Sequence, residues 1–305
     1  MTYPHLAIHP DVARALNQGR PVVALESTII AHGLPRPDNL ACARMLETTV
    51  RNAGVTPATI AIAGGKIKIG LTDQELQRFA DSDNIAKVSR RDIAAVLASG
   101  GDGATTVAAT MICAAIAGIQ VFATGGIGGV HRGAEASLDI SADLSELGRT
   151  PIAVVCAGAK SILDLPKTLE VLESWGVPVL GFGTGSFPAF YVRATELPVD
   201  RQVNSAVEAA RIIKLQHELG LANGLVIAVP VPQEHALSRN EVETWISAAL
   251  GEAQNAGITG KAITPFVLSR INTLSEGRAL QANLALVNNN VRIAADIAKA
   301  LTQEG

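Results

Sequence analysis

A lysine directly follows the most apolar stretch of the chain, a position that suits nucleophilic chemistry. Residues 151–159 read PIAVVCAGA, and Lys160 comes next. Burial disfavours a charged ammonium group and can lower a lysine pKa by as much as about 3–5 units. We therefore interpret Lys160 as a candidate amine nucleophile. The alternative is a surface lysine that carries its charge into water along its aliphatic stem.

A carboxylate occupies a similar position after another apolar run. Glu26 follows VVAL at residues 22–25. A carboxyl group at a buried strand end is suited to proton exchange near neutral pH unless a charge or several donors hold it. The pattern indicates either a catalytic acid or base, or a structural acceptor for the turn at His32 and Gly33. Its pairing with a strand-end lysine favours the catalytic interpretation.

Glycine-rich backbone indicates a binding site for a small anion. Residues 125–129 read GGIGG, and such a segment can bring backbone N–H groups close to a phosphate. The basic side chains that could add positive charge are Lys87, Arg90, Arg91 and His131. The segment does not match the dinucleotide-binding motif G-x-G-x-x-G, because His131 stands in place of its last glycine. A P-loop ending at Lys160 fails as well, since Val154 and Ala159 stand in place of its glycines.

Two aspartates have the spacing of a candidate metal site. Asp139 and Asp143 are four residues apart and would share a face if the segment between them were helical. Two carboxylates at that spacing could hold Mg²⁺ or Mn²⁺, directly or through water. The alternative is a solvated helix face or a helix cap.

Two further polar groups are candidates for ligand contact. Thr105 and Thr106 precede Val107, which opens an apolar helix, so their hydroxyls could cap the helix or donate to a ligand. Asn283 and the asparagines at 288–290 carry paired donors and acceptors that could read the edge of a base.

Short β-branched runs alternate with longer helical patterns along the chain. The predicted strands are residues 22–25, 59–63, 121–124, 152–157, 179–182 and 225–229. A Gly64-Gly65 turn predicts a hairpin with residues 66–69. Asp38 is expected to cap a helix, Thr72 and Glu75 match a capping box, and residues 282–301 read as a terminal helix.

This alternation predicts an α/β fold, a three-layer α/β/α arrangement with a mainly parallel, mixed central sheet. No linker or repeat divides residues 1–305, so we expect a single domain. Ligands of such sheets gather beyond the carboxyl ends of the strands. One crevice is therefore expected to collect Glu26, Lys160 and the glycine-rich segment.

Composition excludes several classes of protein. The net charge of −3 and the absence of a basic run argue against nucleic-acid binding. No apolar run approaches the roughly 20 residues of a membrane span, so we expect no membrane partner and a soluble, cytoplasmic protein. The three cysteines, Cys42, Cys113 and Cys156, have apolar neighbours and read as reduced core residues.

Several long blocks together resemble the family of pseudouridine-5'-phosphate glycosidases, the indigoidine-synthase-A-like proteins. The blocks, which span nearly the whole chain in family order, are ESTIIAHG (26–33), KVSRRD (87–92), FATGGIGGVHRGAE (122–135), DISAD (139–143) and CAGAKSILD (156–164). The resemblance implies reversible cleavage of the C–C bond of pseudouridine 5'-phosphate, giving uracil and ribose 5-phosphate. It also implies Mn²⁺ as cofactor and a homotrimer.

The resemblance further implies a role for each matched residue. Lys160 would form a Schiff base with the ring-opened ribose, Glu26 would donate a proton, and Asp139 would bind the metal. Contacts with the substrate would come from Lys87, Val107, His131, Ser141, Ala142, Asp143 and Asn283. Two alternatives stay open: a lysine-dependent aldolase or lyase acting on another phosphosugar, and a phosphosugar-binding protein without turnover.

Overall fold

The computed structural model describes residues 4–258 and 260–303. These residues form a central β-sheet covered by helices, the three-layer α/β arrangement with a mostly parallel, mixed sheet that the sequence predicts. The strands are β1 Leu6–Ile8, β2 Val22–Leu25, β3 Thr56–Ala63, β4 Lys66–Ile69, β5 Ala86–Val88, β6 Gly103–Thr105, β7 Val121–Ala123, β8 Val130–His131, β9 Ala153–Cys156, β10 Leu163–Asp164, β11 Val179–Phe182, β12 Arg201–Val203 and β13 Leu225–Ala228. The α-helices are α1 Pro10–Asn17, α2 Asp38–Asn52, α3 Asp73–Asp81, α4 Ile93–Ala98, α5 Val107–Ala117, α6 Ala134–Ser137, α7 Ala142–Leu147, α8 Leu165–Ser174, α9 Ala206–Glu218, α10 Arg239–Asn255, α11 Ile263–Leu274 and α12 Arg278–Gln303.

Eleven of the described strands make one sheet. Its main path runs β1-β4-β3-β2-β7-β9-β13-β11-β12, and β6 joins β5 to β3. The pairs β3–β4 and β3–β6 are antiparallel, whereas β2, β7, β9 and β13 are parallel neighbours. The carboxyl ends of β2, β7 and β9 therefore lie side by side at one edge of the sheet.

Small apolar side chains allow the helices to pack closely on this sheet. Helix α12 packs on β2, β7 and β9 and contacts α2 and α9, while α5 packs on β2, β3 and β7 and contacts α7. Ala294 and Ala295 of α12 and Val154 of β9 are fully buried. Close-packed layers of this kind hold the strand ends in fixed positions.

The apolar runs predict the interior strands closely. The prediction matches β2 and β11 to the residue, and the structure extends the predicted strand 59–63 back to Thr56. The predicted hairpin is confirmed: β3 and β4 pair antiparallel, and Gly64 and Gly65 both adopt positive φ, at 57° and 71°. Glycine adopts this conformation without the steric penalty that a Cβ would bring.

The helix ends confirm one prediction and correct another. Thr72 and Glu75 form the predicted capping box at the start of α3. The prediction that Asp38 caps a helix was wrong: Asp38 is the first residue of α2, because Pro37 already occupies the cap position. The carboxylate in the first turn still complements the positive end of the helix.

The cysteines confirm their prediction as core residues. Cys42, Cys113 and Cys156 are unpaired and buried, and burial raises the pKa of each thiol to about 12. Among the described residues, no helix combines the length and the apolar character needed to cross a membrane. The assignment of residues 1–305 to a single domain stays a prediction.

Candidate functional site

A cavity of about 610 Å³ opens where β2, β7 and β9 end. It contains most of the residues that the sequence singled out for the site, but Thr105 and the asparagines at 288–290 do not line it. Those lining residues are Glu26, Lys87, Val107, His131, Asp139, Ser141, Ala142, Asp143, Lys160 and Asn283. The expected crevice beyond the strand ends is therefore present, and it gathers segments that are up to about 260 residues apart in the sequence.

The two candidate catalytic groups come from nearby parallel strands. Glu26 directly follows β2 and Lys160 comes four residues after β9, with β7 lying between these strands. The half-buried Lys160 donates a hydrogen bond from Nζ to the carbonyl oxygen of Gly126, at 3.0 Å. This places an amine at the wall of the cavity with a neutral backbone oxygen as its partner.

Hydroxyl groups hold the Glu26 carboxylate. One carboxylate oxygen accepts a hydrogen bond from Thr28 and the other accepts one from Thr124 at the end of β7. A hydroxyl group can donate to an ionised carboxylate or accept from a protonated one. The partners of Glu26 are therefore compatible with both of its protonation states.

The backbone beyond β7 and β9 continues to pair and so fixes Lys160. The Ile127 amide donates to the Gly158 carbonyl at 3.1 Å, and the Lys160 amide donates to the Ile127 carbonyl at 3.1 Å. The ring of Phe190 packs on Gly126, where an added Cβ would lie 2.7 Å from Phe190 Cδ2. Glycine at this position allows the aromatic ring to support the carbonyl that accepts from Lys160.

One side of the cavity combines positive charge with the start of a helix. Thr106 caps α5, so the helix begins at Val107 on the cavity wall. Lys87 lies in β5, and Ser141 caps α7 close by. Because backbone N–H groups and the helix dipole favour negative charge at a helix start, this side suits a phosphate.

Asp143 shapes this side of the cavity through backbone contacts. Its two carboxylate oxygens accept hydrogen bonds from the amides of Ala108, at 2.9 Å, and Gly128, at 2.8 Å. Asp139 lies before the start of α7, so the two aspartates do not share a helix face. The condition for the predicted pair of metal ligands is therefore not met.

His131 lines the cavity within reach of the charges of both Lys160 and Lys87. Pairing of β8 with β10 places His131 opposite Leu163, three residues beyond Lys160. Burial lowers the pKa of His131, and the positive charges of Lys160 and Lys87 lower it further, although Asp139 opposes them. A neutral imidazole at this position can donate one hydrogen bond to an anion and accept another.

A divalent ion fits this site only with help from water and substrate. Asp139 supplies one carboxylate to the cavity wall. Across residues 4–258 and 260–303, no three His, Cys, Asp or Glu side chains gather into a ligand set. Mg²⁺ and Mn²⁺ accept carboxylate oxygens, and Mg²⁺ commonly binds through one or two of them plus waters and substrate phosphate. Asp139 can supply such a donor.

Arg90 is engaged in an ion pair on the cavity wall. Its guanidinium binds the fully buried Glu146 carboxylate at 2.5 and 2.7 Å, and Arg149 lies 3.5 Å from the same group. Burial alone would raise the pKa of Glu146, but hydrogen bonds from Arg90 and Thr150 and the two guanidinium charges hold it below its usual value. This pair offsets much of the positive charge that Arg90 was expected to lend to an anion.

Among the lining residues that the sequence did not identify for the site are Thr28, Thr124, His32 and Phe190. Thr124 ends a strand that the sequence does predict, and its position beside β2 could have marked it. Thr28 and His32 lie in the same block as Glu26. Nothing in the sequence around Phe190 indicates that it belongs to the site, because its role depends on the conformation of a loop in which it adopts φ of 58°.

Comparisons with known proteins agree with this geometry. Residues 11–300 match the family described as Indigoidine synthase A like protein. A protein of Caldanaerobacter subterraneus subsp. tengcongensis named pseudouridine-5'-phosphate glycosidase is 58% identical over 96% of this chain and 95% of its own length. One of the same name from Sorangium cellulosum is 56% identical over 99% of this chain and 95% of its own length.

Two solved structures share the fold over 99% of both chains. The prealnumycin C-glycosynthase AlnA, in complex with ribulose 5-phosphate, superposes with a TM-score of 0.92 at 40% identity. An indigoidine synthase A-like protein from Thermotoga maritima superposes with a TM-score of 0.90 at 34% identity. With the family match covering nearly all of the sequence, the chain belongs to the indigoidine synthase A like family.

Proposed function

We propose that the chain reversibly cleaves the C–C glycosidic bond of pseudouridine 5'-phosphate, giving uracil and ribose 5-phosphate. The observation that carries this proposal is the presence of Lys160, Glu26 and an anion-binding side in one cavity. The names of the curated relatives and the ribulose 5-phosphate bound by AlnA support a phosphosugar substrate.

Lys160 is the proposed covalent nucleophile. Its Nζ attacks C1' of the ribose and the bond from C1' to the ring oxygen breaks. The ring oxygen keeps the electron pair and takes up the proton that the nitrogen loses, which leaves a ring-opened secondary amine and a hydroxyl group. The nitrogen lone pair then forms the C1'=N bond as the bond from C1' to the base breaks. Water hydrolyses the resulting Schiff base and releases ribose 5-phosphate and the free amine.

Glu26 is the proposed proton donor. When the C–C bond breaks, its electron pair remains on the base carbon, which must take up a proton to become uracil. A carbon-linked base has no glycosidic oxygen or nitrogen to protonate, so the two-carboxylate arrangement of ordinary glycosidases does not serve here. Glu26 can deliver the proton because Thr28 and Thr124 can hydrogen-bond to it in either protonation state.

The side of the cavity near α5 is the proposed phosphate site. Lys87 and His131 would contact the phosphate together with the backbone at Val107, and Ser141 and Ala142 would contact the sugar phosphate beside them. Asp143 would act by holding the Gly128 and Ala108 amides in place. On the other side, the buried Oδ1 of Asn283 would read the edge of the uracil.

Asp139 is the proposed ligand of Mn²⁺, with water and substrate completing the coordination. A bound divalent cation would offset negative charge on the sugar phosphate. Chelation should suppress turnover and added Mn²⁺ should restore it; full activity after removal of metal would make Asp139 a structural carboxylate. The homotrimer that the family resemblance implies and the cytoplasmic location that the sequence analysis expects stay predictions.

A uracil-release assay tests the proposed function. The wild-type chain should convert pseudouridine 5'-phosphate to uracil and ribose 5-phosphate and leave simple sugar phosphates unchanged. Lys160→Ala should abolish turnover with an unchanged circular dichroism spectrum, because no covalent route remains. Lys167→Ala is the matched control, since this exposed lysine lies outside the cavity and pairs with Glu135 and Asp164.

The same assay separates the alternatives. An aldolase or lyase would turn over another phosphosugar and release no uracil. A binding protein would bind sugar phosphate with no turnover to lose in Lys160→Ala. Substantial residual turnover in a folded Lys160→Ala protein would contradict the nucleophilic role.

A further inference from the structure

A second, smaller cavity of about 220 Å³ adjoins the 610 Å³ cavity of the candidate site, which is called the catalytic cavity below. The two cavities share wall residues, among them His32, Gly33 and Asn283. Pockets for drug-sized ligands usually measure roughly 300–1,000 Å³, so this cavity suits a ligand the size of a single ring. Its shared wall gives such a ligand a short path from the catalytic cavity.

Three buried polar atoms of its wall have no hydrogen-bond partner within the described part of the chain. They are His32 Nε2, Asn272 Oδ1 and Asn283 Oδ1. Asn283 is only 9% exposed. Buried polar atoms are nearly always paired. Asn283 Oδ1 already has a proposed partner in the uracil of the bound substrate, so His32 Nε2 and Asn272 Oδ1 are the two atoms that indicate a further polar ligand.

The backbone presents His32 through an unusual turn. Residues Ile29–Gly33 form a single turn of π-helix just after Glu26. The side chain of Asn39 anchors this turn by donating to the Ile30 carbonyl at 2.9 Å. Isolated π-helical turns are rare and occur frequently at functional sites.

The surroundings of His32 determine which ring nitrogen can accept. The backbone carbonyls of Ile85 and Ala86 favour a proton on the ring, and Nε2 has no partner, so we assign the proton of the neutral ring to Nδ1. Burial lowers the pKa of His32 and the charge of Lys87 lowers it further, against the effect of the two carbonyls. The imidazole is therefore neutral at neutral pH, and the lone pair of Nε2 is left without a donor on a residue that lines both cavities.

We propose that the small cavity holds the free pyrimidine base after the C–C bond has broken, with His32 Nε2 accepting a ring N–H. The amides of Asn272 and Asn283 contact the carbonyl and N–H groups on the rest of the base edge. This inference rests on the proposed function and adds a separate binding site to it. Movement of the base into this site opens the catalytic cavity to the water that hydrolyses the Schiff base.

Calorimetric titration of uracil into the purified chain tests the proposal without sugar phosphate present. The wild type and Lys160→Ala should bind uracil alike, and 1,3-dimethyluracil, which has no N–H, should bind at least about tenfold more weakly. His32→Leu should weaken uracil binding by a similar factor, and His32→Gln should recover part of the loss because its amide oxygen accepts. His235→Leu is the control, since this exposed histidine lies outside both cavities.

The outcomes separate this proposal from the proposed function. If the wild type releases uracil from its substrate but binds dimethyluracil as well as uracil, the base site is wrong and the activity stands. The base site is also wrong, and the activity again stands, if a folded His32→Leu protein binds uracil with unchanged affinity. The same holds if the wild type releases uracil from its substrate but does not bind free uracil. If the wild type releases no uracil, both proposals fall. If His32→Leu does not fold, the uracil affinity of His32→Gln and the binding of 1,3-dimethyluracil to the wild type still test the base site.

Discussion

Two carboxylates near the cavity, Glu26 and Glu146, differ in the partners that surround them. Glu146 is fully buried, its oxygens accept from the Arg90 guanidinium and the Thr150 hydroxyl, and the Arg149 guanidinium forms an ion pair with it at 3.5 Å. Glu26 is half-buried, and its oxygens accept from the hydroxyls of Thr28 and Thr124. Both side chains are hydrogen-bond acceptors, but their partners differ in chemistry.

The difference separates a structural carboxylate from one suited to proton transfer. A guanidinium group can only donate hydrogen bonds, so a proton on Glu146 would place the carboxyl O–H against the N–H groups of its arginine partner. Hydroxyl groups can reverse their role, so Glu26 can gain or lose a proton and keep both partners. In the proposed reaction, proton transfer by Glu26 would therefore depend on the kind of partner as well as on burial.

The largest effect should come from Glu26→Gln. The amide keeps the shape of the side chain but cannot deliver a proton, so we expect kcat to fall by about 10²–10⁴-fold. The free energy of unfolding should change little, because both threonine hydroxyls can still hydrogen-bond to the amide. Uracil release and urea denaturation measure the two effects. Normal turnover in this variant would remove Glu26 from the reaction.

Glu146→Gln should show the reverse pattern. Loss of one partner from a fully buried ion pair destabilises a protein by about 3–5 kcal/mol. Arg90 and Arg149 remain about 45% exposed to water, so we expect a smaller loss of about 2–3 kcal/mol. Urea denaturation measures this loss. A large fall in kcat with unchanged stability would contradict the distinction between the two carboxylates.

Thr124→Val should give a moderate effect at the Glu26 side. The substitution removes one hydroxyl from the carboxylate and preserves the shape of the side chain, so we expect kcat to fall about tenfold. Thr124→Ser, which keeps the hydroxyl, should retain most of the activity. Equal losses in both variants would show that packing, and not the hydrogen bond, matters at this position.

The smallest effect should be the acid sensitivity of the Glu146 ion pair. Because the pKa of Glu146 is held below its usual 4.5, the unfolded chain binds a proton there before the folded chain does. Its stabilising contribution is present above pH 4.5 and is lost as the pH falls through the depressed value. The stability difference between wild type and Glu146→Gln should therefore narrow in acid. A constant difference would contradict this assignment.

The interior strands could be predicted because burial leaves a mark on their sequence. The run VVAL at residues 22–25 is apolar throughout, and all four residues are buried in β2. The three-residue strands β5 and β6 could not be predicted, because Ala86–Val88 and Gly103–Thr105 are too short for a pattern. They form because β6 pairs with the long strand β3 and β5 then pairs with β6.

The site was predictable where a residue's own strand places it. Lys160 and Glu26 follow apolar runs, so the sequence alone marks them as strand-end residues. The hydrogen bond from Thr124 to Glu26 depends on β7 lying beside β2. The residues of these two strands do not indicate which strands are neighbours in the sheet. The support that Phe190 gives to Gly126 likewise depends on a distant loop.

The central claim is that the Lys160 amine forms a covalent bond with the sugar. Borohydride reduction of the chain in the presence of ribose 5-phosphate, followed by peptide mapping, tests it most directly. We predict a stable mass adduct on Lys160 in the wild type and in Glu26→Gln, and no adduct in Lys160→Ala. An adduct on another lysine such as Lys87, or no adduct at all, would contradict the account.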